Sequence, residues 1–170
     1  EDGPQTHFSK KGTPTMGGLL ILPSWLLPVL LWSDLSNSYV WAVIGATAGF
    51  ASIGLWDDLL KLKYKNSKGL SARAKLLYQF LLAGGIAAAL YHSGFPTVLT
   101  VPFYKHSPDL GVFFMPFAMV VMVGAANAVN LTDGLDGLCI GIMTIVALSF
   151  TILTYIAASA SLSTYLMLPH

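Results

Sequence analysis

Hydrophobic and polar positions along this chain fall mostly into long blocks. Met16 to Trp32 carries no charge, is interrupted by Pro23 and Pro28, and is followed by a short polar turn, Ser33 to Ser38. Tyr39 to Trp56 is a second uncharged block, rich in Gly and Ala. Leu76 to Tyr91 is a third, and its helix is expected to begin a turn earlier, with Arg73 and Lys75 near the membrane interface. Leu110 to Val129 is a fourth. Leu138 to Leu168 has no charge at all and exceeds the roughly 20 residues of one membrane helix, so a break is expected near Ala158 to Ser163. The blocks predict spans at 16–33, 39–56, 73–92, 110–130 and 138–157, with the start of a sixth at 163–170. Between them lie a charged loop, Asp57 to Lys75, and a polar loop, His92 to Asp109. A further loop runs from Asn130 to Gly137. The alternation Thr97-Val98-Leu99-Thr100-Val101 could make a short hairpin strand. The fold class is an all-α polytopic membrane protein, with 1–170 as a single membrane domain.

Composition agrees: 55% of residues are hydrophobic and 10% charged, against about 25% charged in a soluble domain. Mean hydropathy is +0.67. The net charge of +1, with no basic patch interleaved with aromatics, gives no reason to expect a nucleic-acid partner. The single cysteine, Cys139, excludes an internal disulfide and reads as a small apolar filler. No secretory signal pattern is present, and the start at Glu1 without a methionine is what a piece of a longer protein would show.

Charge then orients the spans. Lys10 and Lys11 precede the first span; Lys61, Lys63, Lys65, Lys68, Arg73 and Lys75 lie between the second and third; Lys105 alone has the other parity. Basic loops stay in the cytoplasm. Counting spans places Gly12–Gly18, Asp57–Lys75 and Asn130–Gly137 together on that face.

Two clusters could carry chemistry. In Gly54-Leu55-Trp56-Asp57-Asp58-Leu59-Leu60-Lys61 a pair of carboxylates ends an uncharged run. Acids beside membrane spans mark sites more often than they serve packing. A helix ending near Asp58 would set both acids against its negative end, a repulsion that Lys61 or a bound cation would relieve. The alternative is a solvated helix end with a local ion pair. In Asn127-Ala128-Val129-Asn130-Leu131-Thr132-Asp133-Gly134-Leu135-Asp136-Gly137, Asn127 and Asn130 share a helix face, and Asp133 and Asp136 repeat the spacing, each before a glycine. Amides and carboxylates there could bind imide or sugar groups, or a divalent cation. The alternative is a polar turn with Asx caps, but four such residues in ten between membrane helices favour a site. Gly12–Gly18 is not a phosphate loop, because no Gly-Lys-Ser/Thr closes it. A backbone cradle with Lys10 and Thr15 is weaker than a helix-start turn. The basic loop reads first as orientation and attraction to anionic lipid heads. Lys61, in helical register with the aspartates, is open between that and phosphate neutralisation.

Taken together, Lys10-Lys11-Gly12-Thr13-Pro14-Thr15-Met16-Gly17-Gly18, Asp57-Asp58-Leu59-Leu60-Lys61, Lys68-Gly69-Leu70 and Asn127 to Gly137 resemble the polyprenyl-phosphate N-acetylhexosamine-1-phosphate transferases. The Gly-Thr-Pro-Thr-Met-Gly-Gly block looks like the phospho-N-acetylmuramoyl-pentapeptide transferase branch (MraY type). The resemblance implies a ten-helix magnesium-dependent enzyme of the bacterial inner membrane with a cytoplasmic active face. It would transfer phospho-MurNAc-pentapeptide from UDP-MurNAc-pentapeptide to undecaprenyl phosphate, giving lipid I and UMP for peptidoglycan. It implies Asp57 and Asp58 as the catalytic acids, one a candidate base for the lipid phosphate, and Lys61 as a phosphate neighbour. Lys10, Thr15, Asn130, Asp133 and Asp136 would form the nucleoside side, with Asn127 nearby. Asp57 or Asp58 could touch the metal, whose main ligand is expected in a second half not present here, so these 170 residues alone are not expected to catalyse. The lipid bilayer is an expected partner, and a homodimer is compatible with the resemblance. Three other readings remain. One is a UDP-GlcNAc:polyprenyl-phosphate GlcNAc-1-phosphate transferase, another a transporter using buried acids, and the last a non-catalytic membrane module. Acids at span ends, not mid-membrane, argue against a transporter.

Overall fold

A computed structural model describes residues 17–64, 69–101, 107–134 and 137–166. The helices are α1 (Gly18–Trp32), α2 (Ser38–Tyr64), α3 (Ala72–His92), α4 (Phe114–Thr132), α5 (Leu138–Ala158) and α6 (Ala160–Tyr165). A 3-10 turn, Gly111–Phe113, leads into α4. Among the described residues, four stretches are long and apolar enough to cross a membrane: α2, α3, the 3-10 turn together with α4, and α5; α1 is shorter. The chain is a multi-pass, all-α membrane protein.

Hydroxyl groups in these helices bond back to the carbonyl one turn earlier. Thr47 donates to Val43 and Ser52 to Ala48. In α5, Thr144 donates to Ile140 and Thr151 to Ala147. Polar atoms in lipid must find partners within the protein, and this is the nearest one. Pro23 and Pro28 lie inside α1, which stays helical around them.

The second helix departs from expectation. The sequence reading ends it near Asp58, whereas α2 has 27 residues and continues through Asp57, Asp58, Lys61 and Lys63 to Tyr64. Acids and a lysine at helical spacing sustain the extra turns. Lys61 and Lys63 then occupy the last turn, where positive charge suits the carbonyl end. The two aspartates are therefore not at the negative terminus, and the anticipated repulsion is moved away from them.

The chain divides into two compact units, Glu1–Val123 and Gly124–His170, with the division inside α4. In the first unit α2 and α3 pack antiparallel. Ser38, Ala42 and Gly45 of α2 share a groove with Gly85, Ala89 and Ser93 of α3, while Trp56 stacks on Tyr78 at the other end, centroids 5.7 Å apart. Small residues allow the close approach: Ala83 and Ala87 are fully buried, and a Cβ on Gly49 would lie 2.6 Å from Leu82 Cδ2. α3 opens on Ser71, whose side chain accepts from the Ala74 N–H. It closes on Gly94 at φ +80°, with the Phe95 N–H donating to Leu90 at 3.1 Å.

The link from α3 to α4 holds one antiparallel bridge, Val98 with Asp109. The Leu99 N–H donates to Pro108 and the Leu110 N–H to Thr97. Among the described residues the alternating stretch forms this bridge and no strand. Pro108 accepts but has no N–H to extend a ladder. The Thr97 hydroxyl and then the Gly111 N–H, both donating to Asp109, hold its carboxyl below the usual carboxylate range. In the second unit, α5 starts on Gly137 at φ +80°, a left-handed position suited to glycine. It ends at extended Ser159, from which α6 departs.

Candidate active site

Asp57 and Asp58 project from adjacent positions of α2, and neighbouring helical residues point about 100° apart. The consequence is visible in their burial. Asp57 is 7% exposed, while the Asp58 side chain is 50% exposed. Asp57 turns toward the segment that leads into α3. Its Oδ1 accepts from the Leu70 N–H at 2.6 Å, and its Oδ2 pairs with Lys61 Nζ at 2.7 Å. Lys61 also meets Asp58 Oδ1 at 3.1 Å. One lysine thus ties together two acids of different accessibility. Both oxygens of Asp57 are engaged, so its burial leaves no orphaned charge.

Gly69 lies directly on Asp57. A Cβ there would come 2.1 Å from Asp57 Oδ1, 2.8 Å from Cγ and 2.9 Å from its carbonyl oxygen. Beside this contact is a cavity of about 550 Å³ lined by Asp57, Lys61, Gly69, Leu70, Ser71, Ala72 and Lys75. Its formal charge is two lysines against one carboxylate. The first turn of α3 adds the positive end of a helix of 21 residues. Such a setting favours an anion.

The Asn-Asp cluster belongs to the second unit. Asn127 and Asn130 lie on the last turns of α4, which runs to Thr132, so Asn130 is helical and not in a loop as expected. Asp133 follows the helix, its N–H donating to Val129 at 3.1 Å. Asn130 and Asp133 are exposed and Asn127 is partly exposed. Thr132 donates to the Ala128 carbonyl, and the Cys139 thiol lies 3.8 Å from that of Val129. Lys10, Thr15 and Asp136 lie outside the described residues. The structure brings Asp57, Asp58 and Lys61 together; it sets Asn127, Asn130 and Asp133 in a row at the end of α4.

The sequence reading did not place Gly69, Leu70 or Lys75 in the site. A signal existed: Gly69-Leu70 followed by the capping Ser71 is the motif of a chain entering a helix beside something close. Among the described residues no three His, Cys, Asp or Glu groups are disposed to hold a metal. Magnesium, though, usually takes only one or two carboxylates with phosphate and water. The half-exposed Asp58 fits one such ligand. Asp57, with both oxygens engaged, does not fit without rearrangement.

Residues 40–169 match the model of glycosyl transferase family 4, and residues 10–22 match phospho-N-acetylmuramoyl-pentapeptide-transferase signature 1. The chain is 51% identical over 170 residues to the phospho-N-acetylmuramoyl-pentapeptide-transferase of Pelobacter propionicus, covering 99% of this chain and 48% of that protein. For the protein of the same name from Citrifermentans bemidjiense the identity is 50% over 171 residues, with the same coverage. For that from Thermodesulfovibrio yellowstonii it is 48% over 170 residues, covering 98% of this chain and 47% of the relative. The chain spans about half the length of the curated relatives it matches. Since the matched stretch takes in both the acidic helix and the Asn-Asp turn, the chain belongs to glycosyl transferase family 4.

Proposed function

We propose that this chain is part of an enzyme that transfers phospho-MurNAc-pentapeptide from UDP-MurNAc-pentapeptide to undecaprenyl phosphate, releasing UMP and forming lipid I. The observation that carries the reading is the cavity beside Asp57, lined by Lys61 and by Lys75 of the first turn of α3. Phosphoryl transfer is largely positioning and charge neutralisation, and both reactants are anions. The names of the relatives support the muramoyl-pentapeptide donor over UDP-GlcNAc in this reading.

In this reading Asp57 fixes Lys61, and Lys61 neutralises phosphate. Asp58 offers an accessible carboxylate to a proton or to a phosphate-bound cation. Asn127, Asn130, Asp133 and Asp136 contact the nucleoside side, with Lys10 and Thr15. Magnesium, when bound, would screen the charge of the reacting phosphates. The active face would be cytoplasmic, because Lys61, Lys63, Arg73 and Lys75 all flank the link between α2 and α3. The membrane would be the bacterial inner membrane.

The test offers the full-length protein undecaprenyl phosphate together with UDP-MurNAc-pentapeptide or UDP-GlcNAc, and measures UMP and lipid product. UMP release with the first donor is expected. Turnover of UDP-GlcNAc alone would move the chain to the GlcNAc-1-phosphate branch, and turnover of neither would remove the transferase reading.

A further inference from the structure

We propose that Gly69 is a positioning residue for the acidic centre, because its missing side chain lets the chain lie on the Asp57 carboxylate and fix it. The proposal rests on the transferase reading of that centre and deepens it. Three observations support it. First, the φ of Gly69 is not in the left-handed region, unlike those of Gly94, Gly111 and Gly137. Alanine could adopt the same backbone, so conformation does not demand glycine here. Second, an added Cβ would meet three atoms of one residue, Asp57, at 2.1–2.9 Å. The three nearest atoms all belong to that one residue. Third, the next residue makes the contact useful: the Leu70 N–H donates to Asp57 Oδ1 at 2.6 Å. That bond holds one oxygen while the other holds Lys61 at 2.7 Å.

These facts form a chain of placement. Gly69 admits the backbone, Leu70 fixes the carboxylate, and the carboxylate fixes Lys61 against the cavity. A methyl group at position 69 cannot be absorbed by a flexible side-chain end, since one of the atoms it meets is the Asp57 carbonyl oxygen. Either the turn lifts away, or the carboxylate rotates and releases Lys61. Each result displaces the lysine assigned to the phosphate.

The experiment uses the full-length enzyme with UDP-MurNAc-pentapeptide and undecaprenyl phosphate, comparing Gly69→Ala with Gly85→Ala. Nothing lies within 4 Å of a Cβ added at Gly85, so that variant should keep the wild-type rate. Gly69→Ala should lower kcat about 100-fold, as expected when a reacting group is misplaced by about 1 Å. KM for the UDP donor should stay within about threefold, because the residues assigned to the nucleoside are unchanged and the displaced lysine acts mainly on charge developed during transfer. A wild-type kcat, or a loss confined to KM, overturns the proposal. If wild-type enzyme releases no UMP from this donor, the transferase reading fails. The positional claim is then decided by unfolding midpoints. Gly69→Ala should lower the midpoint in the wild-type background and lower it less with Asp57→Ala, which removes the carboxylate. An equal drop in both backgrounds overturns it. Should Gly69→Ala fail to insert, recovery of insertion in the double variant supports the contact, and no recovery overturns it.

Discussion

Replacing Asp57 and Asp58 one at a time by alanine should give unequal losses of stability, although the residues are adjacent and chemically identical. Asp57→Ala removes the acceptor of the Leu70 N–H, a bond of 2.6 Å. A hydrogen bond to a charged group contributes about 1.5–3 kcal/mol. The same change removes the 2.7 Å pair with Lys61, whose side chain is 40% exposed. Solvent screening reduces that pair to about 0.5–1 kcal/mol. The total is about 2–4 kcal/mol. Asp58→Ala removes only a 3.1 Å contact between groups 40% and 50% exposed, and leaves Lys61 paired with Asp57. Its loss should be about 0–0.5 kcal/mol. The gain in helix propensity on going to alanine applies to both and cancels in the difference. Asp57→Asn should fall between, because its amide oxygen still accepts from Leu70. Reversible unfolding in mixed micelles, followed by tryptophan fluorescence, measures all three. Losses equal to within about 0.5 kcal/mol for the two alanine variants would refute the division into a buried, engaged acid and an accessible one.

Other outcomes follow from single contacts. Gly49→Ile should destabilise by about 1–3 kcal/mol through overpacking, since a Cβ there already meets Leu82 at 2.6 Å; a neutral effect on unfolding would mean that α2 and α3 pack otherwise. Asp109 has its carboxyl held low by Thr97 and Gly111. Its contribution to the bridge is therefore present above the unfolded value and lost as pH falls through the folded one. Intrinsic-rate-corrected hydrogen exchange at Leu99 and Leu110 should lose protection only below the ordinary carboxylate range, and Asp109→Asn should remove that dependence; an unchanged dependence argues against the role. In the full-length protein Asp133→Asn should weaken UDP-donor binding by about tenfold, the order of one hydrogen bond to a charged group, while leaving lipid binding within about twofold. Calorimetric titration of each substrate decides it, and equal effects break the nucleoside assignment.

The long apolar helices were legible because a run of uncharged residues long enough for lipid has few alternatives to helix. The end of α2 was harder. Charge at Asp57 looked like the close of a helix, yet the spacing of Asp57 and Asp58 to Lys61 already satisfied the rule for helical ion pairs. Hydropathy marks only the apolar part of the helix, whereas the side-chain register is compatible with its continuation to Tyr64. The different fates of the two aspartates were implied by helical geometry, but not which of them turns inward. That depends on where Gly69 and Leu70 cross the helix, a contact across 12 or 13 positions that no periodicity encodes. The Thr97–Val101 alternation overstated the sheet, because Pro108 supplies an acceptor without a donor.

The arrangement of charge around Asp57 bears on how the proposed transfer could proceed. The cavity holds Lys61 and Lys75 against one carboxylate, and the opening of α3 adds partial positive charge. One incoming phosphate is accommodated by that surplus. The proposed reaction brings two anionic substrates together, and the donor alone carries a diphosphate. A single surplus charge does not neutralise both, so a second source of positive charge is required where they meet. Lys61 cannot supply it, since its one charge is already counted in that surplus. Arg73 and Lys63 are near in sequence but do not line the cavity. A divalent cation held in part by the exposed Asp58 would meet the need with the fewest rearrangements, because a metal shared between phosphate oxygens and one carboxylate does not have to disturb the Asp57–Leu70 bond. On this argument the adjacent acids are paired because they do opposite things. One consumes its charge internally to hold a lysine still. The other, half-exposed, would offer its carboxylate to a cation that screens the incoming phosphate.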